Sequence, residues 1–466
     1  MKRRQCPNKC GRSGTVSRRA LLAAGAGLAG GLPLGWYAYD QLHPKPVPVE
    51  MASHNSSDFG MPGKYKGKVV EIRHPDAVGS KFQIRQYAVE KMMAQGMCSL
   101  TGADHQEDAW RSFFCRDDVI GIKVNPVGRS RGREVGSISS FEVILEIVKQ
   151  LKRINIPGRN ILLFERYADE FRQAGYDALI RERIMSGVRW YASAASYTST
   201  QLAIDGHDSP GSDPHVVGYD PDTFVSMGFA APEHSARDDR RFRSHLSGIV
   251  TRYVNKIITV PCLKDHKSAG VTLALKNLSH GMNNNVNRSH LSGLYQANGD
   301  DSGPNQCNTF IPTAVAQEPL RQKSTLHILD GLIGVYEGGP GSWNRTWAVW
   351  PRKSLFFATD PVAMDMVGWR IIDQKRQDEG WIPVSQMGLL HDVPRQQMSR
   401  QLLAMSSLGG PVGTAIAMAE HQRRLRLHRG EPFDRRQPEH IMLAGLLGLG
   451  EWQQHNITHT TEWLGS

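Results

Sequence analysis

Short apolar runs that end in polar or turn residues recur along the chain and predict buried strands. These runs are residues 68–73, 118–124, 160–165, 254–260, 326–330 and 355–358. Between the second and third runs, apolar residues from Val143 to Leu151 recur at helical spacing after an S-x-x-E capping pattern at Ser139 and Glu142. A strand, a helix and a strand in this order predict a right-handed parallel crossover. We therefore predict an α/β fold with a mostly parallel sheet and flanking helices, arranged as one domain or as two lobes.

The N-terminal residues differ from the rest of the chain in charge. Residues 1–39 carry seven Lys or Arg and no acidic residue, and Ser17, Arg18 and Arg19 precede a mildly apolar segment. This pattern is typical of a bacterial twin-arginine signal and predicts export to the periplasm or another extracytoplasmic location, with the translocation machinery as a partner of residues 1–39. No clean cleavage site precedes the Pro-rich residues 44–48. Removal of the signal and its retention as a membrane anchor therefore both stay open.

Four parts of the chain are predicted from composition. They are a signal or membrane anchor at 1–43, a polar linker at 44–66, an α/β domain at 67–450 with a polar insertion near 190–250, and a C-terminal tail at 451–466. The net charge of +11 is concentrated at the N-terminus, which leaves 49 basic against 45 acidic residues elsewhere. A nearly balanced body gives no electrostatic reason to expect a nucleic-acid partner.

Four cysteines follow the predicted signal: Cys98, Cys115, Cys262 and Cys307. They show no C-x-x-C spacing, so the sequence predicts neither a zinc ribbon nor a four-cysteine iron–sulfur cluster. In an oxidising compartment they could pair in three ways, and the sequence does not choose among them.

Four segments together resemble the family called domain of unknown function 362. They are VIGIKVN at 119–125, VPCLKDHKSAGVTLALKN at 260–277, ILDGLIGVYEGGPG at 328–341 and TDPVAMDMVG at 359–368, and LAGLLGLG at 443–450 is similar to the tail of that family. The segments occur in the family's order, and the resemblance spans roughly residues 65–450. Some members carry four-cysteine iron–sulfur segments. This chain lacks one, which argues against an electron-transfer role.

Polar side chains stand where the predicted strands end. Ligands of open α/β sheets bind beyond the carboxyl ends of the strands, so these side chains predict a site. We predict catalytic roles for Lys264, His266 and Lys276, and ligand binding by Lys123, Asn125, Asn277 and the backbone of Gly338 and Gly339. The acidic residues predicted to hold a divalent metal are Asp330, Glu337, Asp360 and Asp365. The structural alternative is that such residues serve as caps, turn residues or ion pairs, and Asp360 before Pro361 suits a helix cap.

This set of residues favours an exported enzyme that acts on a small anionic substrate, with or without a divalent metal. The alternative is a non-catalytic protein that binds an anionic ligand or joins a complex of the cell envelope. The sequence contains no G-x-S-x-G, H-E-x-x-H or Walker motif, so it does not specify a reaction.

Overall fold

A computed structural model describes residues 59–198, 202, 213–228, 230, 235–290, 306–386 and 438–465. The chain divides into two units, residues 1–54 and 55–466, and every described residue belongs to the second. The predicted signal and most of the predicted linker therefore lie outside the described residues. In the part of the chain that is described, no helix has the length and apolar character needed to cross a membrane.

Thirteen strands are present in the described residues. They are β1 Lys68–Arg73, β2 Ile120–Lys123, β3 Ile161–Tyr167, β4 Arg189–Ala194, β5 Tyr219–Ser226, β6 Arg243–Ser247, β7 Lys256–Thr259, β8 Cys262–His266, β9 Gly270–Thr272, β10 Ser324–Glu337, β11 Ala348–Trp350, β12 Ser354–Ala358 and β13 Thr458–Trp463. The helices are α1 Gln86–Thr101, α2 Gln106–Arg111, α3 Phe141–Arg153, α4 Ala168–Gln173, α5 Tyr176–Leu179, α6 Ala274–Ser279, α7 Gln306–Val315, α8 Glu318–Lys323, α9 Pro361–Asp378 and α10 Glu439–Leu446.

Eleven of the described strands form one sheet, and β5 and β6 form a separate pair. The main order is β13–β1–β12–β10–β7–β2–β3–β4, while β8 and β11 also pair with β10, and β9 pairs with β8. The pairings β2–β3, β2–β7, β3–β4, β7–β10, β8–β10 and β1–β13 are parallel. This confirms the predicted α/β fold with a mostly parallel sheet and the predicted crossover from β2 through α3 to β3.

The sheet buries side chains on both faces because helices cover both. On β3, Ile161 and Leu163 join the apolar core that contains residues of α1 and α3. Leu162 and Phe164 point the other way and join the core that contains residues of α9 and α10. In the parallel register Lys123 lies opposite both Phe164 and Thr259, so β2, β3 and β7 end at one edge of the sheet. Lys123 and Asn125 of the predicted site lie at this edge.

Of the two helix caps predicted from the sequence, one is confirmed and the other is wrong. Asp360 caps α9 as predicted, since its Oδ1 accepts hydrogen bonds from the second and third residues of the helix at 3.0 and 2.9 Å. The predicted capping box of α3 is wrong. Ser139 Oγ instead accepts from Asn125 N at 2.7 Å, and Asp330 Oδ2 accepts from Ser140 N at 2.8 Å. A carboxylate from β10 therefore takes the position that the sequence pattern assigned to a local serine.

Glu71 of β1 is a buried carboxylate with several hydrogen-bond donors. Its Oε1 accepts from Arg352 at 2.8 Å and from Ser354 at 2.6 Å, and its Oε2 lies 3.1 Å from His459 Nε2. Burial alone raises the pKa of Glu71, but the bond with His459, the Arg352 charge and Ser354 outweigh it and lower the pKa from 4.5 to about 2. Glu71 therefore ties β1 to β12 and β13 in its ionised form.

Glu71→Gln should destabilise the protein in a pH-dependent way. The folded pKa lies below the unfolded one, so the contribution of Glu71 is complete above the unfolded pKa and is lost as pH falls toward the folded one. The loss in free energy of unfolding should be about 3 kcal/mol near neutral pH and about half of that near pH 3. Denaturant unfolding of both proteins across this range measures the difference. A difference that does not change with pH would show that Glu71 is not held as an anion.

Candidate functional site

A buried ion pair lies at the carboxyl ends of β2 and β3. Lys123 Nζ donates to Glu165 Oε2, to Val124 O at 2.7 Å and to Asn277 Oδ1 at 3.3 Å. Both charged side chains are buried. Burial lowers the pKa of Lys123, and the Glu165 charge opposes that effect. The lysine inside the apolar strand thus finds the polar partners that its burial requires.

The short helix α6 lies against this ion pair. Asp365 fixes the start of α6 by accepting hydrogen bonds from Ala274 N at 2.8 Å and from the next residue at 3.0 Å. After the helix, a Cβ at Gly281 would lie 2.7 Å from Lys123 Nζ and 2.3 Å from Asn277 O. Glycine at 281 therefore permits the close approach that places α6 beside the end of β2.

Lys276 of α6 is buried without a carboxylate partner. Its Nζ lies 3.5 Å from His290 Nε2, and no carboxylate in the described part of the chain lies within 4.0 Å of it. Burial lowers the pKa of Lys276 to about 8. The Cys307 thiol opposes this effect, while the charges of Arg166 and Lys264 add to it. At neutral pH the side chain is therefore a buried ammonium ion in a cationic neighbourhood.

The other buried lysines of the described residues all have oxygen partners. Lys123 is paired with Glu165. Lys264 Nζ donates to the carbonyl oxygens of Val127 and Ser137, and Lys323 Nζ donates to two carbonyl oxygens at 2.6 and 3.3 Å. Lys276 differs from these three because, among the described residues, the hydrogen-bond contact of its Nζ is with an imidazole nitrogen and not with an oxygen.

Three histidines lie around Lys276. The ring centroids of His266 and His290 are 5.6 Å apart, and those of His280 and His290 are 5.0 Å apart. Burial lowers the pKa of His280 well below its ordinary value and that of His290 to about 3, so both rings are neutral at neutral pH. His266 Nδ1 accepts hydrogen bonds from Ser268 N and from the next backbone N–H, at 2.9 and 3.1 Å. A proton on the neutral His266 ring therefore resides on Nε2.

Two predicted catalytic residues lie in a strand, not in the expected loop. Lys264 and His266 belong to β8, which continues the sheet after β7. Lys264 Nζ donates hydrogen bonds to the carbonyl oxygens of Val127 and Ser137 in the loop after β2. The charge of Lys264 also lowers the pKa of Lys276. The structure thus brings Lys264, His266 and Lys276 into one buried region. Within it, Lys264 stabilises the loop after β2.

The four predicted metal-binding acids do not form one cluster in the described part of the chain. Asp330, Asp360 and Asp365 accept backbone hydrogen bonds at the starts of α3, α9 and α6. Glu337 is paired with Arg376 Nη1 at 2.5 Å. Among the described residues, these carboxylates therefore form no shared cation site. The structural alternative, caps and ion pairs, describes what each of them does.

The residues predicted to bind a ligand mainly form hydrogen bonds and close contacts that shape the backbone. Asn125 Oδ1 accepts from Val127 N at 3.0 Å and shapes the turn after β2. Gly339 N donates to Asp265 Oδ1 at 2.7 Å, and a Cβ at Gly339 would lie 1.9 Å from Asp265 O. Gly338 has a φ of 88°, which favours glycine. The Gly339 N–H is thus used within the fold and does not contribute to the predicted anion nest. Asn277 follows Lys276 directly in α6.

A group of metal-ligand atoms was missed by the sequence reasoning. The ligand atoms of His280, His290 and Cys307 all lie within 4.8 Å of one another. No recognised motif spacing links these residues, which come from three separate elements. No disulfide joins Cys98, Cys115, Cys262 and Cys307 to one another, so none of the three pairings forms in the described structure.

Part of the chain that contains this region matches a protein-family model. Residues 240–370 match the family model Domain of unknown function (DUF362). The DUF362 match contains β8, α6, β10 and the start of α9, and so includes Lys264, His266 and Lys276. It supports the resemblance over this segment.

A solved structure and the curated proteins were also compared with the chain. A crystal structure of a protein from Thermotoga maritima aligns with a TM-score of 0.33 and 9% sequence identity, over 63% of this chain and 59% of that one. The chain thus spans less than two thirds of that protein. The search of curated proteins found no match.

Proposed function

We propose that the protein binds a small anionic compound at Lys276 and acts on it as an enzyme. The observation that carries this proposal is the buried Lys276 ammonium without a carboxylate partner in the described residues. An isolated buried charge is costly, whereas a paired and hydrogen-bonded one is tolerated. A bound anion would supply the partner that the protein does not.

The groups around Lys276 indicate the chemistry of the compound. Arg166 and Lys264 add positive charge to the same region. Asn277 Nδ2 is buried and has no partner in the described structure, while Asn277 Oδ1 is held by Lys123. The region therefore offers mainly cations and hydrogen-bond donors. Carboxylate and phosphate oxygens are the groups that such donors recognise.

Binding without turnover is the second candidate function, and one observation favours it. Ser289 Oγ lies 2.8 Å from His280 Nε2, a distance typical of a nucleophile and its base. However, the Ser289 hydroxyl donates its hydrogen to Val286 O at 2.6 Å. The histidine is thus not placed to remove that proton, and this pair is not a serine nucleophile in the observed arrangement.

Lys276→Met should lower the affinity for small carboxylates or phosphates by about 10- to 100-fold, the loss expected for one charge-assisted hydrogen bond. The fold should keep its stability, because the substitution removes a buried charge that has no protein counterion. A thermal-shift screen with carboxylates, phosphates and uncharged analogues measures both effects.

Lys323→Met is the matched control for this experiment. Lys323 is also buried and burial lowers its pKa to about 8 as well, but it bonds to backbone carbonyls near Val250. The control should lose stability and keep its response to anions. Equal anion responses of the wild type and Lys276→Met would overturn the proposed site.

Chemical conversion of a bound compound distinguishes an enzyme from a protein that only binds its ligand. Compounds that stabilise the wild type are incubated with it and followed by mass spectrometry. Turnover that is lost in Lys276→Met supports the enzyme, and binding without any change of the compound supports the alternative. Export through the twin-arginine pathway stays a prediction on which this experiment does not depend.

A further inference from the structure

Two histidines beside Lys276 are oriented by hydrogen bonds on one side of each ring. His290 Nδ1 lies 3.2 Å from Val286 O, a carbonyl that can only accept, so Nδ1 carries the proton and Nε2 carries the lone pair. Metal-binding histidines are commonly oriented in this way, with the second ring nitrogen donating to a carbonyl. His290 is therefore held as a neutral imidazole whose Nε2 can coordinate a metal ion.

His280 can present the same nitrogen. Its Nδ1 lies 3.1 Å from Ser279 Oγ, and Ser279 Oγ in turn donates to Lys276 O at 3.3 Å. Because the Ser289 hydrogen is directed at Val286 O, His280 Nε2 donates its proton to Ser289 Oγ in the observed arrangement. Metal binding would move this proton to Nδ1, where Ser279 Oγ accepts it, and leave the lone pair on Nε2. The Nε2 atom faces Ser289 Oγ, which also lies 3.9 Å from Cys307 Sγ. His280 Nε2 and Cys307 Sγ therefore approach the same point from two elements.

We propose that His280, His290 and Cys307 bind one soft divalent metal ion of the Zn²⁺ class through Nε2, Nε2 and Sγ. Their ligand atoms already lie within 4.8 Å of one another, so small side-chain movements bring all three to coordination distance. Imidazole and thiolate ligands suit Zn²⁺, whereas Mg²⁺ and Ca²⁺ prefer oxygen. On binding, the Cys307 sulfur forms the bond to the metal and its proton is released to solvent.

Three protein ligands leave a fourth coordination position, as in catalytic zinc sites. Lys276 Nζ lies 3.5 Å from His290 Nε2, on the same side as the ligand atom of that ring. An anionic compound could then contact both the metal and Lys276. The metal inference nevertheless stands apart from the proposed anion binding, because it depends only on the three ligands.

Metal uptake by the full chain tests this inference. The purified protein is treated with a chelator, and Co²⁺ or Zn²⁺ is added in buffer without carboxylate or phosphate. Elemental analysis should find one metal ion per chain, and the Co²⁺ form should show a sulfur-to-metal charge-transfer band. Cys307→Ser should abolish that band, and His290→Gln should weaken metal binding by roughly 100-fold or more.

Two further variants make the result decisive. Cys262→Ser changes a buried cysteine outside the proposed ligand set and should retain the band and the affinity. Lys276→Met should raise the metal affinity by about tenfold, because it removes a neighbouring positive charge, although the same variant should lose anion binding. Circular dichroism confirms that each variant is folded. Absence of stoichiometric metal in the wild type, or an unchanged Co²⁺ spectrum in Cys307→Ser, would overturn the inference.

Discussion

Lys123→Met should lower the free energy of unfolding by about 3–5 kcal/mol, because it leaves a buried carboxylate without its cation. Glu165 and Lys123 are both buried at the ends of adjacent parallel strands. The substitution also deprives Asn277 Oδ1 and Val124 O of a donor. Equilibrium unfolding in denaturant measures the loss.

The double variant Lys123→Met/Glu165→Gln separates this cause from a general packing defect. With no charge left to bury, it should recover more than half of the lost stability, and the two substitutions should be strongly non-additive. A double variant whose loss equals the sum of the single losses would show that the ion pair does not determine the stability of this edge of the sheet.

Arg376→Met should cause a loss of similar size, about 3–5 kcal/mol, for the same reason. Arg376 of α9 is fully buried, and its Nη1 donates to Glu337 Oε2 at 2.5 Å and lies 3.8 Å from Asp265 Oδ2. Its Nε also donates to Ile382 O at 2.7 Å. Without the guanidinium, two carboxylates stay buried with no cation between them.

Lys375→Met provides the comparison on the same helix. Lys375 pairs with Glu379 at 2.5 Å, but both side chains are about a quarter exposed. Such pairs contribute about 0.5 kcal/mol, so this variant should unfold almost like the wild type. Equal losses for the two variants in the same denaturant experiment would contradict the role assigned to the buried pair.

All six predicted runs overlap observed strands, and the run at 68–73 matches β1 at both ends although it contains three charged residues. The predicted runs around β2, β3, β7 and β12 match the observed strands within a few residues, because strands covered on both faces must be apolar throughout. The strand β8 was missed since Lys264, Asp265 and His266 are typical of a surface loop. These three residues are nevertheless buried, because carbonyl groups, charged side chains and rings from distant parts of the sequence surround them in the fold.

The candidate site was predictable only in outline. The rule that ligands bind at the carboxyl ends of parallel strands pointed to Lys123 and Lys264, and Lys276 was predicted together with them. It could not separate a carboxylate that binds a metal from one that caps a helix, and Asp330 and Asp365 turned out to be caps. His290 and Cys307 went unnoticed because no motif joins them to Lys276, and only the folded chain brings them together.

A crystal structure of the full chain with a compound from the anion screen tests the anion site at Lys276. A carboxylate or phosphate oxygen should lie within about 3 Å of Lys276 Nζ. Electron density for the compound at any other place, with Lys276 Nζ still beside His290 Nε2, would contradict the proposed anion site.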